Sequence, residues 1–153
     1  MELRGLPRRV AAAGAALAAA GAMLIAPGVA SAEAPYINIK HANSPHRCLD
    51  ANADGDVYTH DCVGNDFQKW FNYTENGYGK FKHKKTGQCL AGGSSSVFLT
   101  TCTSEVTDWR SDAGQPRYIW NRNGKYLNNA GDDGQAVGLR VGRTGTSRWL
   151  IVG

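Results

Sequence analysis

Long apolar runs, helical periodicity and catalytic signatures are all scarce in this 153-residue sequence. The one extended apolar stretch, Ala11 to Ile25, is too short and too weakly hydrophobic to read as a membrane span. That argues against a helical membrane protein, and the length argues against a large two-domain enzyme. No later segment sustains a helical apolar period with caps. There is no glycine-rich phosphate loop, no nucleophile elbow and no H-E-x-x-H pair. Asp50, Asp54, Asp56 and Asp61 crowd one loop, but no second acidic element stands opposite them for glycoside hydrolysis. A catalytic role is therefore not expected. Charge of one sign is lacking too. The whole chain carries +4, but Arg4, Arg8, Arg9 and Glu2 belong to the N-terminal segment. Without them the net charge is about +2, which is no footprint for nucleic acid.

What is present begins with the marks of an export signal. The three arginines precede the Ala-rich run, Pro27 and Gly28 break it, and Ala30-Ser31-Ala32 fits an A-x-A cleavage site. Residues 1–32 are expected to be a signal peptide and 33–153 one secreted, extracellular domain. Arg8-Arg9 leaves the export route open, and no cysteine near the cleavage site provides for a lipid anchor. Trp70, Trp109, Trp120 and Trp149 give the domain large groups to bury, which argues against disorder.

All four cysteines, Cys48, Cys62, Cys89 and Cys102, follow the signal. An oxidising compartment makes two disulfides the default, and four cysteines allow three pairings. The spacing favours Cys48–Cys62 and Cys89–Cys102, since each pair flanks a short turn-like segment. Each loop of about 14–15 residues is worth roughly 3 kcal/mol in the chain-entropy model. A zinc site is the rival, but C-x-x-C is missing and the four histidines are scattered.

The informative feature is an internal repeat. Trp70, Trp109 and Trp149 are separated by 39 and 40 residues. Ahead of them stand Cys48-Leu49-Asp50, Cys89-Leu90-Ala91 and Tyr126-Leu127-Asn128. Between landmark and tryptophan lie Val57–Cys62, Val97–Cys102 and Val137–Gly142. Each unit reads as short strands rich in Val, Tyr, Phe, Thr and Leu. Turn candidates separate them: Ala53-Asp54-Gly55, Thr86-Gly87, Gly92-Gly93-Ser94, Asn123-Gly124 and Asp133-Gly134. Four strands in each of three units give about twelve, able to close into a barrel with a hairpin cap and no long open edge.

Cys-Leu-Asp, then an apolar strand ending in Cys, then Gln68-Lys69-Trp70, resembles the ricin B-type lectin, or Q-x-W, β-trefoil family. The resemblance covers residues 36–153 and implies an all-β trefoil of three repeats, about 36–75, 76–114 and 115–153. The first repeat carries the full pattern. The second has Thr107-Asp108-Trp109 in place of Q-x-W, and the third has lost both cysteines and has Ser147-Arg148-Trp149. The resemblance implies that Trp70, Trp109 and Trp149 pack in the core, with Leu49, Leu90 and Leu127. It also implies a carbohydrate partner, a galactoside, xylan or another glycan.

Sugar recognition needs a carboxylate or amide for paired hydroxyls and an aromatic face for the ring. In the family an Asp follows Cys-Leu, an aromatic lies two residues before the second Cys, and an Asn-Gln pair opens Q-x-W. Carried onto the first repeat, this gives Asp50, His60, Phe67 and Gln68. His60 stands where Trp or Tyr is usual and Phe67 where Asn is usual, with Asn65 close enough in sequence to substitute. The second repeat offers Ala91, Thr100, Val106 and Thr107 and is read as non-binding. The third offers Asn128 and Arg140, with Thr146 and Ser147; Arg140 would suit an acidic sugar. The alternative is a protein-interaction module, such as a protease inhibitor or toxin-associated subunit, on a trefoil with vestigial sugar sites. A monomer without cofactor, nucleic acid or membrane is expected.

Three further features compete for attention. Asp50, Asn52, Asp54, Asp56 and Asp61, with Gly55 at the sixth position, fit an EF-hand-like calcium loop. Against it, the twelfth position is Asp, and strand-like rather than helical segments flank it. Lys80, Lys82, Lys84 and Lys85 crowd around His83; alternation points Lys80, Lys82 and Lys84 to solvent and Phe81 inward, with an anionic surface as the alternative partner. Asn72-Tyr73-Thr74 is a glycosylation sequon.

Overall fold

The computed structural model describes residues 35–129 and 135–153. The expected signal peptide, residues 1–32, and the turn at Asp133-Gly134 lie outside the described residues. The short β-branched and aromatic segments become strands. They are β1 Tyr36–His41, β2 Ser44–Ala51, β3 Val57–Asp61, β4 Trp70–Glu75, β5 Tyr78–His83, β6 Cys89–Gly92, β7 Val97–Thr100, β8 Trp109–Ser111, β9 Arg117–Asn121, β10 Tyr126–Asn128, β11 Gly138–Arg140 and β12 Arg148–Val152. The only helical turns among the described residues are two of 3-10 type, Glu105–Thr107 and Gly145–Ser147.

Strands β1, β4, β5, β8, β9 and β12 pair antiparallel in that order, and β12 returns to β1, closing a six-stranded barrel. Hairpins β2–β3, β6–β7 and β10–β11 cap it. Single bridges join the hairpins in a triangle: Asp56 with Phe98, Ser96 with Gly138, and Ala136 with Tyr58. Twelve strands in this order make a β-trefoil. Each hairpin edge is thereby covered by its neighbours.

The three tryptophans of the repeat are fully buried. Each indole N–H donates to the carbonyl of the landmark leucine of its own repeat: Trp70 to Leu49 at 3.1 Å, Trp109 to Leu90 at 2.8 Å and Trp149 to Leu127 at 3.0 Å. A buried indole needs such a partner, so the bond fixes each ring against its hairpin. Ile39, Phe81 and Ile119 fill the barrel, and Val57, Val97 and Val137 fill the cap.

Local chemistry sets the turns. The β4–β5 hairpin closes through Asn76-Gly77, both with positive φ (51° and 79°), the combination that two-residue hairpin turns favour. Gly92, expected in a turn, instead ends β6 in a tight place. A Cβ there would lie 3.0 Å from Trp109 Cη2 and 3.1 Å from both Asn121 and Leu139. Disulfides join Cys48 to Cys62 and Cys89 to Cys102, each stapling one cap hairpin, and no cysteine among the described residues is free. Zinc is thereby set aside as the role of these thiols.

One expectation is corrected here. Lys82 is exposed, as alternation predicts, but Lys80 on the same face is only 3% exposed. The 102–108 segment covers it. Its ammonium donates to the carbonyls of Cys102 (3.1 Å) and Ser104 (3.4 Å) and to Thr107 Oγ1 (2.7 Å). It also pairs with Asp108 at 2.6 Å. Lys84 is half-buried, paired with Asp66 at 3.2 Å and lying over the Tyr36 ring.

Candidate functional site

The first repeat builds a hollow of about 470 Å³ between the β2–β3 hairpin and the segment leading to β4. Register explains who faces it. Asp50 pairs with Tyr58 and Cys48 with His60, so Asp50, Tyr58 and His60 stand on one face of the hairpin. Asn65, Phe67 and Val63 line the other side. Four of the five residues singled out from the sequence, Asp50, His60, Asn65 and Phe67, therefore meet at this hollow.

Gln68 does not line it. It is fully buried behind Asp50, and its amide is saturated. Nε2 donates to Asp50 Oδ2 at 2.9 Å and to the Asp61 carbonyl at 2.7 Å. Oε1 accepts from the N–H groups of Val63 (2.8 Å) and Gly64 (3.2 Å). The side chain thus ties the 61–64 segment to the floor of the hollow and fixes the Asp50 carboxylate. Asn65 turns the chain beyond it by accepting from the Phe67 N–H at 3.1 Å. The Phe67 ring lies half-buried beneath the Lys85 ammonium, 5.4 Å from its centroid.

Asp50 is 4% exposed, and its other oxygen, Oδ1, is buried without a hydrogen bond of good geometry. Tyr58 senses that carboxylate: burial first, then the Asp50 negative charge and the approach of the phenol to that carboxylate as a hydrogen-bond donor, raise the phenol above its ordinary pKa. Tyr58 was missed in the sequence. It lies two residues before His60 on an alternating strand, so period-two reading alone places it on the same face.

Several side chains of the EF-hand-like pattern already have protein partners. Asn52 and Asp56 are occupied with each other: Asn52 Nδ2 donates to Asp56 Oδ2 and the Asp56 N–H donates to Asn52 Oδ1, both at 2.9 Å. Asp61 pairs with Arg47 at 3.3 Å. The flanking elements are strands β2 and β3, and Asp50 is held by Gln68. Among the described residues no group of three or more His, Cys, Asp or Glu converges.

The profile of the ricin-type β-trefoil lectin domain matches residues 35–120, more than half of the chain. The chain belongs to that family. Comparison with curated protein sequences finds no significant match. Among solved structures, the designed three-fold symmetric protein ThreeFoil superposes with a TM-score of 0.69 at 23% identity, over 77% of this chain and 98% of that one. The Macrolepiota procera ricin B-like lectin, solved with lactose, gives 0.68 at 12% identity, over 78% and 95%. A Clostridium perfringens GlcNAcα1-4Gal-releasing endo-β-galactosidase gives 0.65 at 16% identity, over 76% of this chain and 32% of the enzyme.

Within this lectin-family trefoil the other two repeats are arranged differently. In the second, Ala91 removes the carboxylate and Lys80 fills the space behind the loop. In the third, Asn128 Oδ1 accepts from the hydroxyls of Thr146 (2.8 Å), Ser147 (3.0 Å) and Thr144 (3.3 Å), so it is already surrounded by donors. Arg140 is exposed, and its guanidinium makes no hydrogen bond or ion pair among the described residues. No helix among the described residues is long and apolar enough to cross a membrane.

Proposed function

We propose that this protein is an exported, non-catalytic carbohydrate-binding protein that seats one sugar ring in the hollow of its first repeat. Membership of a lectin domain family supports carbohydrate binding in general, and two disulfides suit an extracellular setting. The observation that carries the site is Asp50: a buried carboxylate, clamped through Oδ2 by Gln68, with Oδ1 left for a donor at the floor of a hollow. A sugar hydroxyl donating to Oδ1 completes that carboxylate. A charged hydrogen bond of this kind contributes about 1.5–3 kcal/mol. Tyr58, Phe67 and His60 offer ring faces for the apolar side of a pyranose, and Asn65 offers a free amide N–H at the rim. The hollow lies within the roughly 300–1,000 Å³ typical of small-ligand clefts.

A glycan-array screen, run with calcium and with chelator, tests this reading. The expected result is calcium-independent binding of a neutral glycan that Asp50→Ala abolishes while the thermal melt stays cooperative. Undiminished glycan binding by Asp50→Ala would remove the site. A blank array together with capture of a protein partner would instead favour an interaction module with vestigial sugar sites.

A further inference from the structure

A second surface, away from the first-repeat hollow, has the chemistry of a ligand site. Strand register sets four outward residues in a row across β8, β9, β10 and β11. Arg110 pairs with Trp120, Trp120 with Tyr126, and Tyr126 with Arg140. At strand spacings of about 4.8 Å the row is roughly 14 Å wide. Trp120 and Tyr126 are half-exposed, with ring centroids 5.9 Å apart, and both arginines are exposed. Arg143 lies over the adjacent rings of Tyr118 (4.9 Å) and Tyr126 (5.8 Å).

None of these three arginines forms an ion pair among the described residues, in contrast to Arg122, which pairs with Glu105 at 3.0 Å and Asp108 at 3.3 Å. Arg110 spends one N–H on the Tyr78 hydroxyl and Arg143 one on the Tyr126 hydroxyl. The remaining guanidinium donors face solvent. The acidic group that acts on Arg143 is Asp112, whose Oδ1 already accepts the Tyr118 N–H at 2.7 Å. Trp120 also borders a hollow of about 300 Å³. Asn72, Thr74 and Ser111 on its wall make no side-chain hydrogen bond among the described residues.

We propose that this row binds a short stretch of an acidic glycan, with one sugar ring against Trp120 beside the Asn72 hollow and flanking carboxylates on Arg110 and Arg140. Planar guanidinium groups suit carboxylates, and an aromatic face suits the sugar ring between them. A single-stranded nucleic acid needs successive open aromatic faces. Here Arg143 occupies the faces of Tyr118 and Tyr126, which leaves Trp120 as the ring for one sugar. The row shares no residue with the Asp50 hollow, so either site can fail without the other.

The test is calorimetric titration of the whole protein with an oligogalacturonate, with a neutral galacto-oligosaccharide and with an oligothymidylate. The oligogalacturonate is expected to bind in a salt-sensitive manner. Trp120→Ala, and separately Arg110→Gln with Arg140→Gln, each weaken it by about tenfold or more, while neither variant alters binding of the neutral galacto-oligosaccharide. The arginine variant changes only exposed side chains, so it stays informative should Trp120→Ala fold poorly. Unaltered oligogalacturonate binding by the arginine variant overturns the proposal. So does an absence of oligogalacturonate binding, or oligothymidylate binding equally tightly.

Discussion

The first and second repeats tie down the same loop with different chemistry. Behind the segment that follows the second cysteine, the first repeat places a neutral amide. Gln68 closes on Asp50, on the Asp61 carbonyl and on two backbone N–H groups. The second repeat has Thr107 at that position, and the ammonium of Lys80 crosses from β5 to bind the Cys102 and Ser104 carbonyls, Thr107 and Asp108. The trefoil thus fixes where a buried polar tie is needed, since the loop's backbone groups must be satisfied. It does not fix which side chain provides the tie. What separates the repeats functionally is what the tie leaves over. In the second, the carboxylate of Asp108 is consumed by an internal ion pair. In the first, Asp50 keeps one oxygen, Oδ1, outside any hydrogen bond of good geometry, the oxygen proposed above to meet a sugar hydroxyl.

The largest effect should come from removing the ionic tie. Lys80→Met leaves Asp108 with Arg122 alone and leaves the Cys102 and Ser104 carbonyls to the hydroxyl and backbone N–H of Thr107. Breaking a buried pair in this way costs about 3–5 kcal/mol. Urea unfolding should show that loss, with glycan binding by the folded protein unchanged. A loss below about 1 kcal/mol would mean that the ammonium is not the second repeat's counterpart of Gln68.

The disulfides come next. Cys48→Ala with Cys62→Ala, and Cys89→Ala with Cys102→Ala, should each cost about 2–5 kcal/mol because their loops are of similar length. The two pairs should differ in binding. The first staple lies in register with His60 and two residues from Asp50, so its loss should weaken glycan binding; loss of the second should not. Equal weakening in both would break the assignment of the site to the first repeat.

Gln68→Leu sharpens the comparison further. It leaves Asp50 Oδ2 and two backbone N–H groups unpaired, at a cost of about 2 kcal/mol or more. Because Asp50 then loses its clamp, affinity should fall while the bound sugar's identity stays the same. Intact affinity with reduced stability would show that Gln68 holds the loop but not the carboxylate.

How much of this was legible in the sequence follows from which interactions are periodic. The threefold spacing of Trp70, Trp109 and Trp149 carried the three repeats and the twelve strands, the Q-x-W resemblance gave the trefoil, and the short turn-like segments that the cysteines flank gave both pairs. The cross-strand row at Trp120 was not legible, since register depends on bulges and turns that spacing alone does not set. Lys80 misled for a related reason. Alternation placed it outside the barrel correctly, but the 102–108 segment folds back over that face, and nothing local to β5 encodes the cover. Asp50, His60 and Phe67 were singled out by position in a motif and Asn65 by its nearness to it; Tyr58 was legible from its alternation with His60, whereas Gln68 standing behind them emerges only from its bonds to Asp50 and the 61–64 segment.

The smallest effect concerns the residues opposite the three tryptophans. Register pairs Trp149 with His41, Trp70 with His83 and Trp109 with Asn121, so two of the three equivalent positions titrate and one does not. Burial lowers the pKa of both histidines from 6.5, outweighing the hydrogen bonds of His41 to the Thr146 carbonyl and of His83 to the Phe67 carbonyl. The unfolded chain takes up these protons at a higher pH than the folded one. Their contribution to stability is therefore complete above pH 6.5 and is lost as pH falls from there toward the lowered folded values. The loss is at most about 1.4 kcal/mol per histidine per pH unit. Denaturant unfolding between pH 7.5 and 5, roughly above the range where ordinary carboxylates titrate, isolates the effect. His41→Asn with His83→Asn copies the third repeat's solution into the other two and should flatten that slope, whatever it does to stability at neutral pH. A slope that persists in the double variant would place the acid sensitivity in groups other than these two rings.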